Sequence, residues 1–383
     1  SESYTYGYSF SKELLDEWHW KERFSSQPEN LKYLNFVADK FKLRHHMRFN
    51  AYVETMAWQE QDRVWFLKLG NGDAYRARFV VGSLGPSYAA TLPDNEGMDT
   101  FEGDAIHTIW GTQEPVPLGG KRGGINGNGA TGIQVIGEIA DKVGELTVFQ
   151  RRPNWSSPLN NSPISEAEMS EIRTRYDEIF ANCAATPSGF EHLPDRRGFW
   201  NVPREERIAF WDRLYETSGF AILAGNFAEI YTDEAANREM SEYIADRIRQ
   251  RVHDPETAEK LIPKDHGFGM QRLPLETNYF EAYNRDNVHL VDISATPIAR
   301  ITPTGIETSK AHYDLDLIIY ATGFDAVTGA YDRLDIRGID GEPLRNKWRD
   351  GPLTYFGFMT HGYPNLFMIA GPQSASGASN VPR

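Results

Sequence analysis

The chain has 383 residues, which at about 100–200 residues per domain allows two or three domains. Hydrophobic residues make up 40% and charged residues 25%, a globular composition that excludes an extended disordered chain. The net charge of −14 without a basic stripe speaks against a nucleic-acid partner, and no apolar run is long enough to span a bilayer as a helix.

Residues 28–41 predict a helix, with Pro28 at its first position and Leu31, Leu34, Val37 and Phe41 on one face. Three strands follow, at about 47–58, 63–69 and 74–82. Gly70-Asn71-Gly72-Asp73 marks a hairpin between the last two, so these strands form an antiparallel meander. Phe79-Val80-Val81 is short and apolar and predicts a buried strand. Residues 86–120, rich in Pro and Gly, predict a crossing between domains. A short strand, 121–126, leads into Gly127-Asn128-Gly129-Ala130-Thr131-Gly132, then a helix at about 130–143 and a second strand at 146–149.

From 165 to 262 the pattern turns helical, near 165–183, 204–217, 232–252 and 255–262. Pro203, Thr232-Asp233 and Pro255 stand at helix starts. The only cysteine, Cys183, falls in the first of these and reads as a buried inert thiol. A single cysteine excludes an internal disulfide and a Cys-based zinc site, so no metal is expected. With no signal peptide visible at Ser1, a cytoplasmic location is expected. Strands return at 288–292, about 298–303 and 317–320, the last running into Ala321-Thr322-Gly323. The pattern predicts an α/β fold with two dinucleotide-binding domains, a β-meander and a helical insertion.

The GxGxxG pattern becomes specific through its setting, because it follows a strand, opens a helix and lies in a unit of about thirty residues. Gly127 permits the tight turn, Gly129 lets backbone approach a pyrophosphate, and Gly132 lets helix and strand pack closely. The helix start offers unpaired N–H groups and a partial positive charge to the phosphates. An NAD-binding unit usually carries an acid after the second strand. Here Gln150-Arg151-Arg152 stands in that place, and guanidiniums match a phosphate, so NADP is expected over NAD. Gly123-Gly124-Ile125-Asn126 is a poor strand by propensity, and its glycines have no functional reading.

Several stretches, in order, resemble the Baeyer–Villiger monooxygenases of the cyclohexanone, phenylacetone and steroid type. They are Tyr6-Gly7-Tyr8-Ser9-Phe10-Ser11, Ser26-Gln27-Pro28-Glu29, Phe149-Gln150-Arg151-Arg152-Pro153-Asn154-Trp155, Asn284-Arg285-Asp286-Asn287-Val288, Ala321-Thr322-Gly323-Phe324-Asp325 and Ala370-Gly371-Pro372. The family marker FxGxxxHxxxW is met by Phe101, Gly103 and His107. Gly111 takes the Trp position, with Trp110 one place early. The resemblance implies a role for His107 near a hinge.

It further implies that Arg272, in Gly269-Met270-Gln271-Arg272, is the catalytic arginine, and that Gln271 replaces a lysine that would meet the NADPH phosphate. Arg152, where the family often has Thr, would return that charge from the other side. Val53, Ser83-Leu84-Gly85, Ala321, Thr322, Gly323 and Gly371-Pro372 are expected to meet FAD.

The implied division is residues 1–90 as part of an FAD-binding domain with the meander, 91–320 as an NADP-binding domain with its insertion at about 160–265, and 321–383 as the return of the FAD domain. The family's earlier FAD glycine motif and its final segment have no counterpart, so the chain reads as a fragment of a longer frame. The implied chemistry uses NADPH, FAD and O2, through a flavin peroxide, to insert oxygen beside a ketone carbonyl and give an ester or lactone. Two alternatives stay open at this stage: an N- or S-oxygenating flavin monooxygenase, and an NADP-binding fragment without activity.

Overall fold

Five short strands pair in parallel to make the sheet that carries the glycine motif. In the computed structural model, which describes residues 2–85, 87–110, 116–186 and 188–374, they run edge to edge as Val288–Asp292, Glu145–Gln150, Arg122–Asn126, Leu317–Tyr320 and Asp104–His107. The last of these lies in the stretch expected to be an unstructured crossing. It is four residues long and pairs only at the sheet edge, too little for a periodic signal.

From Arg122–Asn126 the chain moves one way, through the helix Ala130–Ile139, to Glu145–Gln150. On the other side lies Leu317–Tyr320, which arrives from far along the sequence. The order therefore reverses between Arg122–Asn126 and Leu317–Tyr320, the kind of place where α/β sheets bind ligands. Ile133, Ile136 and Ile139 bury one helix face as expected, each worth about 1.5–3 kcal/mol. The helix stops at Ile139, short of 143, and Gly144 N–H turns back to the Lys121 carbonyl at 2.9 Å.

The structure supplies a reason for one of the two glycines of Arg122–Asn126. A Cβ on Gly124 would stand 2.5 Å from Leu315 Cδ1 and 3.3 Å from Phe149 Cε2. Those side chains occupy the space over this central strand, so packing overrides its weak β propensity.

The insertion forms helices Glu166–Ala185, Arg204–Glu216, Glu234–Arg251 and Pro255–Leu261. Ser165, Asp233 and Asp254 cap three of them through side-chain oxygens that accept backbone N–H groups. Pro255 takes the first helical turn, whereas Pro203 is the cap itself. Cys183 is buried and in no disulfide. Strand Ile298–Thr302 pairs with Gly305–Thr308 and that with His312–Asp314, a small antiparallel sheet.

The described residues divide into two compact units, one of residues 2–26 and 92–323, the other of 27–91 and 324–374. The first segment thus departs from the expected division, which had placed it with the flavin part. Its backbone explains why: Ser3 N–H donates to the Arg23 carbonyl, Arg23 N–H to Ser162, and Ile164 N–H to Lys21, all within 3.0 Å. Residues 321–323 likewise group with the glycine loop and not with the returning segment.

In the second unit Val53–Gln59, Val64–Leu69 and Ala74–Ala77 form the expected meander, and Asp335–Arg337 adds in parallel to Val53–Gln59. Gly72 makes the turn at φ +90°, with Asp73 N–H donating to Asn71 Oδ1 at 3.0 Å. Residues 47–52 lie outside the first strand. The third expected strand breaks in two, because Val80–Gly82 leaves the meander to pair in parallel with Leu366–Met368. It is not buried: Phe79 is 57% and Val81 59% exposed. Helix Gln27–Lys40 also turns otherwise than expected, burying Tyr33, Val37 and Ala38 while Leu31, Leu34 and Phe41 face outward. Met56, Trp65, Ile336, Trp348, Leu366 and Met368 make this unit's core.

Candidate nucleotide-binding and active site

In the five-stranded sheet, register places four chain exits side by side. Tyr320 stands opposite both His107 and Asn126, and Asn126 opposite Phe149. The carboxyl edge is therefore built from His107, Ala321–Gly323, Gly127–Gly129 and Gln150–Arg152. Residues spread over more than two hundred positions meet there because parallel strands all end on one side.

The three glycines of the motif are distinguished by space. Gly127 has φ +100°, and a Cβ there would sit 2.7 Å from the Ala321 carbonyl oxygen. A Cβ on Gly132 would fall 2.2 Å from the Gly127 carbonyl oxygen. Gly129 differs, since nothing lies within 4 Å of its Cβ position. It is also the N-cap of Ala130–Ile139, so open space adjoins the free N–H groups of the Ala130-Thr131 turn. Two tight glycines and one open one are what a loop needs to approach a pyrophosphate, and the residues present fit that group.

Asn128 points inward. Its Nδ2 donates to Gln150 Oε1 and, at 3.4 Å, to the Tyr279 hydroxyl. Gln150 Nε2 in turn donates to the Lys260 carbonyl at 2.8 Å. Burial pushes the Tyr279 phenol up from its ordinary range. Beyond Gln150 the chain emerges, and both arginines are exposed. Arg151 makes no ion pair among the described residues, whereas Arg152 Nη1 lies 3.5 Å from Asp265. Asp265 is held below the usual carboxylate range, first by a hydrogen bond with His266 and also by the charge of Arg152.

A second segment runs alongside. Asn154 Nδ2 donates to the Arg272 carbonyl at 3.2 Å, and Trp155 Nε1 to that of His266 at 2.9 Å. These bonds run the segment from His266 to Arg272 past Asn154 and Trp155, which follow the arginine pair in the chain. Both side chains are exposed, and Arg272 carries no ion pair among the described residues, so it is not a structural ion-paired arginine. His107 is buried at the end of its strand. Its Nδ1 accepts from Ile109 N–H at 3.2 Å, and the Trp110 ring centroid is 5.4 Å from its own. Gly111, the expected Trp position of the marker, is outside the described residues.

The residues expected to meet FAD belong in part to the second unit. Val53 opens the first meander strand beside a bulge. The parallel pairing of Val80–Gly82 with Leu366–Met368 brings Gly85, which follows Ser83-Leu84, and Ala370–Gln373 together around a cavity of about 80 Å³ lined also by Tyr331. Ala370 and Gln373 adopt φ of +52° and +71°, unusual for residues with a Cβ. Ala321–Gly323 instead lies against the glycine loop, with Ala321 N–H donating to the Asn126 carbonyl at 2.9 Å.

Tyr279, Asp265 and the inward role of Gln150 escaped the sequence reading. The one signal was a polar residue ending an apolar strand: a parallel strand is buried on both faces, so such a residue needs an internal partner.

No family model matches the chain. A Baeyer–Villiger monooxygenase of Pseudooceanicola batsensis is 40% identical over 378 residues, covering 97% of this chain and 68% of that protein. The chain belongs to the Baeyer–Villiger monooxygenases. Within this family it is 47% identical to the 2-oxo-Delta(3)-4,5,5-trimethylcyclopentenylacetyl-CoA monooxygenase of Pseudomonas putida, over all of this chain and 71% of that one. A crystal structure of OTEMO in complex with FAD and NADP superposes on the whole chain with a TM-score of 0.95 at 46% identity, covering 72% of that protein.

Proposed function

We propose that this Baeyer–Villiger monooxygenase holds NADPH on the open side of Gly129, reads its extra phosphate with Arg151 and Arg152, and uses Arg272 to steady negative charge during oxygen transfer. As a member of the family the protein is an FAD- and NADPH-dependent enzyme that converts a ketone to an ester or lactone with O2. No helix among the described residues is long and apolar enough to cross a membrane. A cytoplasmic location, with NADPH at hand, is part of the proposal.

The observation that carries the reading is the contrast within the motif: Gly127 and Gly132 are closed by backbone, Gly129 by nothing. When bound, NADPH supplies the hydride, and the flavin passes on electrons and activates dioxygen. The protein's own part is binding and charge. Backbone N–H groups at Ala130-Thr131 would donate to the pyrophosphate oxygens. Arg151, unpaired among the described residues, is the stronger partner for the 2′-phosphate. Arg152 shares its charge with Asp265 and contributes less. A guanidinium carries donors and no acceptor, so Arg272 would stabilise a developing oxyanion by charge and hydrogen bonds without moving a proton. The His107 ring, with Nδ1 accepting a backbone N–H, leaves Nε2 as the nitrogen that carries the proton in the neutral form.

Gly129→Val tests the site directly: binding of NADP+ should be lost. Arg151→Ala should reduce the preference for NADPH over NADH more than Arg152→Thr, and unchanged preference in both would refute the phosphate assignment. Incubation with a ketone, NADPH and O2 should yield ester or lactone; N- or S-oxides as the only products would favour the other class of flavin monooxygenase.

A further inference from the structure

A polar relay runs inward from the glycine loop to the helical insertion. It begins at a group whose role is unambiguous, since the Lys260 carbonyl in helix Pro255–Leu261 can only accept. Gln150 Nε2 donates to it at 2.8 Å, which fixes the Gln150 amide and turns its oxygen to Asn128. Asn128 Nδ2 must then donate, and it does so to Gln150 Oε1 and to the Tyr279 hydroxyl. That hydroxyl also accepts from Tyr283 at 3.4 Å. Gln150, Asn128, Tyr279 and Tyr283 are all buried. The far end is anchored as well: Tyr279 N–H donates to Glu276 Oε2 at 3.0 Å, and Glu276 Oε1 pairs with Arg251 Nη1 at 2.7 Å.

We infer that Gln150 is a positioning residue for the nicotinamide nucleotide, transmitting the placement of helix Pro255–Leu261 through Asn128 to the glycine loop. The inference rests on the reading that NADPH occupies that loop. It has a consequence for specificity. In an NAD-binding unit the acid after the second strand accepts the ribose hydroxyls. Here the side chain at 150 is buried and committed inward, so a carboxylate placed there would not reach a ribose. It would face the Lys260 carbonyl, acceptor against acceptor, and lose the only donor that carbonyl receives from position 150.

The test uses the flavin-loaded protein and isothermal titration calorimetry with NADP+ and NAD+. Gln150→Met, which keeps length and removes both hydrogen bonds, should weaken NADP+ binding about tenfold. Its KM for NADPH should rise while kcat at saturating NADPH stays within about twofold, a split that general loss of structure would not give. Gln150→Glu should weaken NADP+ further and bring no gain in NAD+ affinity. Tyr279→Phe approaches the relay from its other end and keeps the test alive if the Gln150 variants fail to fold. It should weaken NADP+ about threefold. Unchanged NADP+ affinity in Gln150→Met, or in Tyr279→Phe should that variant stand alone, overturns the inference, and so does tighter NAD+ binding by Gln150→Glu. Gly129→Val separates the two levels. Normal NADP+ binding by that variant removes the site reading itself, whereas lost binding there with normal binding in Gln150→Met removes only the relay.

Discussion

Two strands of this protein reverse what their sequences suggest. Arg122–Asn126 contains two glycines and an asparagine, yet residues 123–126 are buried at the centre of a five-stranded sheet. Val80–Gly82, preceded by Phe79, is apolar and β-branched, yet Phe79 and Val81 are more than half exposed, and it pairs only with Leu366–Met368 among the described residues. Burial here is decided by what lies on either side of a strand. Gly124 is where Leu315 and Phe149 need room, while Val81 sits in a strand with one partner and has an open face.

The comparison can be broken at its tightest point first. Gly132→Val places a side chain 2.2 Å from the Gly127 carbonyl oxygen, where only backbone could yield. The expected result is loss of more than about 4 kcal/mol, read as unfolding at low denaturant or no soluble protein. Ile125→Ala, in the centre of the buried strand, should cost about 2–5 kcal/mol in urea denaturation. Gly124→Val sharpens the point, because it raises β propensity and should still destabilise by about 1–3 kcal/mol, since its Cβ meets Leu315 and Phe149. A stabilised Gly124→Val would return the decision to propensity. On the exposed strand, Val81→Thr should lie within about 0.5 kcal/mol of the parent.

The smallest effect concerns the start of the buried strand. Arg122 hydrogen-bonds Asp316 by side chain and backbone and holds its carboxyl down at about 2. A depressed folded value means that the unfolded chain binds the proton first. The pair therefore stabilises fully above about pH 4, and its contribution is lost as the pH falls towards about 2. Because Asp316 is well exposed, water screens the pair and the loss is slight. Asp316→Asn should flatten the acid limb of the Tm–pH curve between those values, lowering Tm slightly at neutral pH and leaving it nearly unchanged below about pH 2.

Much of the candidate site was legible because glycine spacing, a helix start and paired arginines are local signals. Gly127, Gly129 and Gly132 each have the space their roles require, and helix Ala130–Ile139 buries the expected isoleucines. The inward turn of Gln150 was not legible. A side chain at the end of a strand can face ribose or core, and only the Lys260 carbonyl, 110 positions away, selects one. The outward face of helix Gln27–Lys40 escaped for a similar reason. Leu31, Leu34 and Phe41 line up at helical spacing, but Tyr33, Val37 and Ala38 offer a competing face, and that is the face the fold buries.

The amino-acid order alone determined which segments are helices and strands wherever periodicity ran long enough, where the glycine motif opens a helix, and which family the chain resembles. Backbone preferences, caps and glycine spacing act within a few residues, so they can be read along the chain. Tertiary structure alone decided which strands are buried, that residues 2–26 join the insertion, and which partners Asn128, Gln150 and Arg152 take. Those outcomes depend on steric room and hydrogen-bond partners supplied mostly by residues far along the chain, such as Lys260, Asp265, Tyr279 and Leu315, and no local pattern carries that information.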